Sequence, residues 1–410
     1  MAHTGINLEN VKENNRSAIL KLLNEQGAMS RKDLAEQLGL TAATVTLICS
    51  DLIAMGILRE QGALNEGRRA GRKKILVGID YTCRYVLSIC LEANDTWVAL
   101  SDLRGEKVAE RQIKTENKAA PTAFLGHVAA VCQEVVQQSG ISMDLVLGVG
   151  VSVPGAVDRQ MGVSKSAYRV WEHRVEVTKI LKEHLGCPVI LENNVKAFAE
   201  AELIYGSGKK NDNLLFLKWG PGIGSALVVH DEIYESHTSK EGEIGHITVE
   251  KGGKLCRCGR RGCLETKAAI HSVAEQVSSA CTPETMPVLY QYIKGDVTQI
   301  RARNMDEWIQ VKDPGMWKVL DGIIELVAWN VCHALTLLAP EALILYGQVF
   351  SVPQVRDRFL RFCKEYDRSY DASYIAMSEL SEQIDYIGPL AIVVNQLFFA
   401  TGGMLEQPKQ

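Results

Sequence analysis

The chain has 410 residues, 46% hydrophobic and 23% charged, with a net charge of −4. That length calls for two or three domains, and the composition excludes a disordered chain, a collagen-like repeat and a coiled-coil rod. No run of about 18 apolar residues marks a membrane span. Met1-Ala2-His3-Thr4-Gly5 opens no apolar leader, so a cytoplasmic protein is expected.

The charge is uneven. Residues 1–75 hold eleven Lys+Arg against eight Asp+Glu, a surplus of +3, while the remainder carries −7. A mildly basic head on an acidic body points to a nucleic-acid contact at one end.

Ala18-Ile19-Leu20-Lys21-Leu22-Leu23 belongs to an amphipathic first helix ending near Gln26. Ser30-Arg31-Lys32-Asp33 starts a second helix through Leu38, Gly39 breaks it, and Thr41 caps a third that runs to about Met55. Two helices across a glycine turn make a helix-turn-helix. Its third helix would offer Thr41, Ala42, Ala43, Thr44 and Thr46 to a major groove. A β-ribbon should follow, tipped by Arg68, Arg69, Arg72, Lys73 and Lys74, cations suited to phosphates or a minor groove. The rival is a three-helix module that binds protein. Helix order, turn and basic wing together favour DNA.

From Ile75 the pattern changes. Ile75–Asp80, Tyr85–Leu91 and Thr96–Asp102 read as an antiparallel meander, followed by a helix over 119–138 and a buried strand, Leu145–Val151, ending at Pro154-Gly155. A second similar unit starts with Leu214–Trp219 and Ser225–Val229. Strands mixed with helices predict α/β lobes.

Eight of the eleven cysteines (Cys49, Cys83, Cys90, Cys132, Cys187, Cys281, Cys332 and Cys363) read as small buried hydrophobes. The other three fall in Cys256-Arg257-Cys258-Gly259-Arg260-Arg261-Gly262-Cys263, just after His246. One His and three Cys at this spacing predict a structural Zn²⁺ site, with all four positions filled by protein. Arg257, Arg260 and Arg261 should favour the thiolates. A redox pair is the alternative, but Cys256 and Cys258 are one residue apart rather than two.

Glu243-Ile244-Gly245-His246, the cysteine run through Glu265, and Leu191-Glu192-Asn193-Asn194 together resemble the ROK family, which groups repressors with sugar kinases. The chain looks most like the branch of xylose and N-acetylglucosamine repressors. The resemblance implies a winged helix-turn-helix followed by an actin-like, ribonuclease H-like two-lobed fold with sugar in the cleft. The domains expected are residues 1–74 for the head, 75–198 for the small lobe (completed by 385–410), and 199–384 for the large lobe. It also implies zinc on His246, Cys256, Cys258 and Cys263. Sugar hydroxyls would be bound by Asn193, Asn194, Glu243, His246 and Glu265, with Gly155 at a strand end near the ligand. Amides and carboxylates suit hydroxyls, which both donate and accept. With one ring nitrogen on zinc, His246 could turn the other to the sugar.

Three departures separate the chain from the family's kinases. Asn194 stands where they carry the aspartate that deprotonates the attacking hydroxyl, and an amide cannot take that proton. Their Asp-x-Gly-Gly-Thr phosphate loop is matched to Asp80-Tyr81-Thr82-Cys83-Arg84, without glycines. Pro221 in Gly220-Pro221-Gly222 replaces a threonine and removes a backbone donor. The expectation is therefore a repressor, not an enzyme. It would be a homodimer or dimer of dimers on operator DNA, with a monosaccharide effector that closes the cleft and alters head spacing. A bifunctional ATP-dependent sugar kinase is the alternative.

Overall fold

The computed structural model describes residues 8–64, 74–206, 208, 212–235 and 242–404. Its contacts divide into two units, Met1–Tyr205 with Gln383–Gln410, and Gly206–Glu382.

The first unit opens with the head. Helix α1 (Leu8–Gln26) leads through the short strand β1 (Met29–Ser30) to α2 (Arg31–Leu38) and α3 (Ala42–Ala54). Ser30 caps α2 by accepting from the Asp33 amide at 3.2 Å, and Thr41 caps α3 through the Thr44 amide at 3.2 Å. Each cap satisfies an amide that the first helical turn leaves without a partner. Gly39 closes α2 at φ 64°, the left-handed conformation that a side chain disfavours. Ile19, Leu20, Leu23, Leu34, Val45, Ile48 and Leu52 are at most 2% exposed, so the three helices share one core.

The wing differs from the sequence reading. Strand β2 (Leu58–Leu64) pairs antiparallel with β3 (Lys74–Ile79), and β1 adds to the other edge of β3. The segment from Ile75 thus pairs with β2 and β1 and is no part of the body's meander. The boundary expected at residue 74 falls inside this ribbon, because Val77 and Ile79 are buried in it. Asp80 then caps a single turn, Tyr81–Cys83, that leads into the lobe.

The lobe's own meander is β4 (Tyr85–Leu91), β5 (Asp95–Asp102) and β6 (Lys107–Lys114). It continues with α4 (Pro121–Ser139), β7 (Val146–Val153), a hairpin of β8 (Val157–Asp158) and β9 (Val163–Ser164), α5 (Val177–Leu185), β10 (Val189–Asn193) and α6 (Asn194–Ile204). The sheet order is β10-β7-β4-β5-β6, with β4, β7 and β10 parallel. Strand β7 is buried throughout, the continuous apolar run expected of a strand covered on both faces.

The second unit holds β11 (Asn213–Trp219), β12 (Ile223–Val229), β13 (Glu232–Ile233), α7 (Glu265–Ala268), α8 (Ile270–Ala280), α9 (Pro287–Tyr292), α10 (Met305–Trp308), α11 (Pro314–Leu338), β14 (Ala342–Tyr346), α12 (Pro353–Tyr366) and β15 (Ile375–Met377). Its order, β13-β12-β11-β14-β15, repeats the plan of the first sheet: an antiparallel meander with two parallel strands added beyond its first strand. Helix α11 is long and apolar enough to cross a membrane, yet half of its apolar window is buried within the protein. The chain then returns to the first unit as α13 (Ile387–Val393), continued by a π-helical turn, Val394–Phe399. Gly150 of β7 lets α13 approach, since a Cβ there would collide with the Pro389 carbonyl.

Of the eight scattered cysteines, Cys49, Cys90, Cys132, Cys281, Cys332 and Cys363 are buried, whereas Cys83 and Cys187 are half-buried. Burial pushes the Cys49 thiol up to about 11, so it is inert near neutral pH.

Candidate functional site

In the second unit the chain folds tightly around the cysteine run. Bridges join Thr248 to Cys263 and Leu255 to Arg261, and the Cys256 amide donates to the Arg260 carbonyl at 2.8 Å. Gly259 (φ 84°) and Gly262 (φ 71°) supply the left-handed turns this knuckle needs.

Four donors converge there. The ligand atoms of His246, Cys256, Cys258 and Cys263 all lie within 4.8 Å of one another. Cys256 Sγ is 3.5 Å from His246 Nδ1, and Cys258 Sγ is 3.6 Å from Cys263 Sγ. A tetrahedral zinc with bonds of about 2.0–2.3 Å needs donor edges of about 3.5–3.8 Å, which these two pairs match. Burial raises the Cys258 thiol, but hydrogen bonds from the Arg260 backbone and side chain, together with those to Cys256 and Cys263, outweigh it and hold the thiol below its ordinary value. The other two arginines also bond to neighbours within the knuckle and α7. Arg257 Nε pairs with Glu265 at 3.2 Å, and Arg261 donates to the Gly253 carbonyl at 3.4 Å.

The two carboxylates expected at the sugar border this knuckle. Glu243 precedes the turn that carries His246 and lies 3.8 Å from Arg260. Glu265 begins α7, and a Cβ on Gly222 would stand 2.7 Å from its Oε2, so the β11–β12 turn with Pro221 is shaped around that carboxylate.

In the first unit the β10–α6 junction holds the asparagines. Asn193 caps α6: its Oδ1 accepts from the Val195 and Lys196 amides at 2.8 and 3.3 Å, and its Nδ2 donates to the Gly155 carbonyl at 2.8 Å. Most of its hydrogen-bonding capacity is therefore committed to the fold. A Cβ on Gly155 would collide with the Ser166 carbonyl, so only glycine fits. Asn194 donates from Nδ2 to Glu92 Oε1 at 2.8 Å.

Sequence reasoning missed Glu92 and a buried ionic cluster. Glu92 sits in the β4–β5 turn, where an isolated carboxylate carries no signal of a distant partner. Behind Asn193, Glu192 Oε2 lies 3.3 Å from Arg159 Nη1, Glu200 Oε2 lies 3.8 Å from Arg159 Nη2, and Asn395 Nδ2 donates to Glu200 Oε1 at 2.7 Å. Burial pushes the Glu192 carboxyl up to about 7, although Arg159 pulls it down.

On the head, Ala42, Ala43, Thr46, Leu47 and Ser50 form the exposed face of α3. Leu47, 59% exposed, was not singled out from the sequence. Thr46 Oγ1 donates to the Ala42 carbonyl at 2.7 Å, and the Thr41 and Thr44 hydroxyls pair at 2.9 Å, so local bonds already engage these three. Arg68, Arg69, Arg72 and Lys73 lie outside the described residues, as does the Lys74 side chain; its backbone starts β3.

A sequence profile of the ROK family matches residues 86–395, and one for winged helix-turn-helix DNA-binding domains matches residues 13–59. The chain belongs to the ROK family. It is 23% identical over 403 residues to the xylose repressor of Caldicellulosiruptor bescii, covering 94% of this chain and 97% of that one. It is 26% identical over 271 residues to the N-acetylglucosamine repressor of Escherichia coli O157:H7, covering 66% of each. A solved ROK family transcriptional regulator, a homologue of the E. coli Mlc protein, superposes with a TM-score of 0.79 at 21% identity over 97% of this chain and 98% of its own. A ROK glucokinase from Streptomyces griseus, solved with glucose and AMPPNP, covers 75% of this chain and 98% of its own with a TM-score of 0.62 at 20% identity. These likenesses establish the winged head and the actin-like ROK fold.

The family span also corrects one placement. Asp80–Arg84 lies upstream of residue 86 and joins wing to lobe, so it cannot be the lobe's phosphate loop. The turn that joins the lobe's first two strands is Glu92-Ala93-Asn94, which has no glycine either.

Proposed function

We propose that this ROK protein is a sugar-responsive transcriptional repressor that binds operator DNA through its winged head and binds a monosaccharide without phosphorylating it. The observation that carries this reading is one chain holding both a helix-turn-helix and a ROK body; in this reading Asn194, hydrogen-bonded to Glu92, takes the place of the kinase base.

In this reading Asn194, Glu243, His246 and Glu265 hydrogen-bond the sugar hydroxyls. Gly155 and Asn193 hold the strand end and the helix start in place. His246, Cys256, Cys258 and Cys263 would hold Zn²⁺, whose chemistry here is structural because four protein donors leave no position for water. With Nδ1 turned to the cysteines, the other ring nitrogen of His246 is left for a hydroxyl. The exposed face of α3 reads the major groove, and Arg68, Arg69, Arg72, Lys73 and Lys74 of the wing contact phosphates or the minor groove. A cytoplasmic homodimer or dimer of dimers would place two heads on half-sites about one helical turn apart.

A bifunctional sugar kinase is the rival, since kinases share this fold. A thermal-shift screen of D-xylose, D-glucose, N-acetyl-D-glucosamine and their 5- or 6-phosphates, with ADP release followed in parallel, separates the two. The repressor reading expects one sugar to raise the melting point with no ATP consumed. Turnover near one per second would establish the kinase instead.

A further inference from the structure

Helix α6 connects Asn194, proposed above to bind the sugar, to the DNA-reading head. Its 11 residues, Asn194 to Ile204, span about 16 Å. At the start, Asn194 is bonded to Glu92. Along the shaft Ala197, Phe198, Ala199, Glu200, Ala201, Glu202 and Ile204 are buried, which leaves the helix little room to bend. Gly388 of α13 packs so closely on it that a Cβ would lie 3.1 Å from the Ala197 carbonyl carbon, and Asn395 bonds Glu200. A displacement of its first turn would therefore be carried along the whole helix and to α13.

At the far end the Ile204 carbonyl, in the last turn where no intrahelical donor remains, accepts from Asn24 Nδ2 at 3.2 Å. Asn24 lies near the end of α1, and its Oδ1 accepts from the Tyr81 hydroxyl at 3.1 Å. Tyr81 stands on the turn between wing and lobe, under the Arg104 guanidinium at 5.7 Å. One amide thus ties three pieces together: the first helix of the head, the connector behind the wing, and the end of the helix that starts at Asn194. Nearby, Gly402 abuts Arg16 of α1, and Gly403 approaches Ile57 just before β2.

We propose that Asn24 is a positioning residue that couples sugar occupancy to operator affinity, by passing displacement of α6 to α1 and hence to α3. The inference rests on the repressor reading given above. It assigns Asn24 no part in touching either DNA or sugar.

The test uses the full chain, with a labelled operator selected from genomic fragments and D-xylose or N-acetyl-D-glucosamine as probe. Operator affinity is measured with and without saturating sugar, and sugar affinity by calorimetry. The wild type should show a ratio within the range usual for allosteric coupling, about 5- to 150-fold. Asn24→Asp keeps the acceptor for Tyr81 but turns an oxygen toward the Ile204 carbonyl. It should leave each separate affinity within about threefold while the ratio falls below about 3. Tyr81→Phe, which keeps the Ile204 bond, should lose less of the ratio. Asn24→Ala, which adds no charge, gives the same readout if Asn24→Asp fails to fold. A wild-type ratio retained in a folded Asn24 variant overturns the role of Asn24 alone. A wild type indifferent to every sugar overturns the repressor reading and this inference with it.

Discussion

Asn194 donates to Glu92 at 2.8 Å, binding the first residue of α6 to the first turn of the lobe's sheet. Exchanging Asn194 for the aspartate that the proposed reading gives the kinases is therefore not a neutral change. Asn194→Asp would set two carboxylates face to face and delete the donor between them. The variant should lose about 1–3 kcal/mol of stability at pH 7 and recover much of it near pH 5, where one carboxylate takes up a proton and donates again. Urea unfolding at both pH values measures this. ADP release should stay at background, because the Glu92-Ala93-Asn94 turn still lacks the glycines a phosphate approaches.

For the metal knuckle, Cys258→Ser removes the exposed cysteine of the four donors while leaving the buried Cys256 and Cys263 packed. The wild type should bind about one zinc per chain, and the variant should lose most of it along with its response to sugar. Metal analysis paired with operator binding checks both. Full induction in a zinc-free variant would contradict the coupling through His246.

Neutralising Arg68, Arg69, Arg72, Lys73 and Lys74 should weaken operator binding and flatten its salt dependence. Each lost phosphate contact lowers the log–log slope by about 0.9. An unchanged slope in an anisotropy titration would mean that the wing does not contact phosphates.

Glu192 bears on pH. Burial pushes its carboxyl up to about 7 from an ordinary 4.5, with Arg159 opposing. A carboxyl raised in the folded state binds its proton more tightly there than in the unfolded chain. Its contribution is thus complete below pH 4.5 and is lost as pH rises through 7. Glu192→Gln should remove that dependence, so the variant's urea midpoint should change less between pH 5 and 7.5 than the wild type's.

The head was legible because its signals are local. Ser30, Gly39 and Thr41 act as caps on their own helices, and the structure ends those helices within a residue of the expected places. The clustering of His246, Cys256, Cys258 and Cys263 was legible for the same reason, since four donors that converge within eighteen residues leave their spacing in the chain. Strand pairing is not local. Ile75–Asp80 has the apolar pattern of a body strand, and only its partners in β2 reveal it as part of the wing. Glu92 and Asn194 are 102 residues apart, and Glu200 and Asn395 are 195 apart, so no spacing announces either bond. Asn193 shows the converse. Its motif was legible, but the capping bonds that occupy its side chain were not.

The most direct test of the account is operator affinity of the intact protein, followed by anisotropy while a panel of free sugars and ATP–Mg is added. The account predicts that one sugar alone changes the affinity at least fivefold, that ATP–Mg adds nothing, and that no ADP forms. Operator affinity indifferent to every sugar, with steady ADP release, would contradict it.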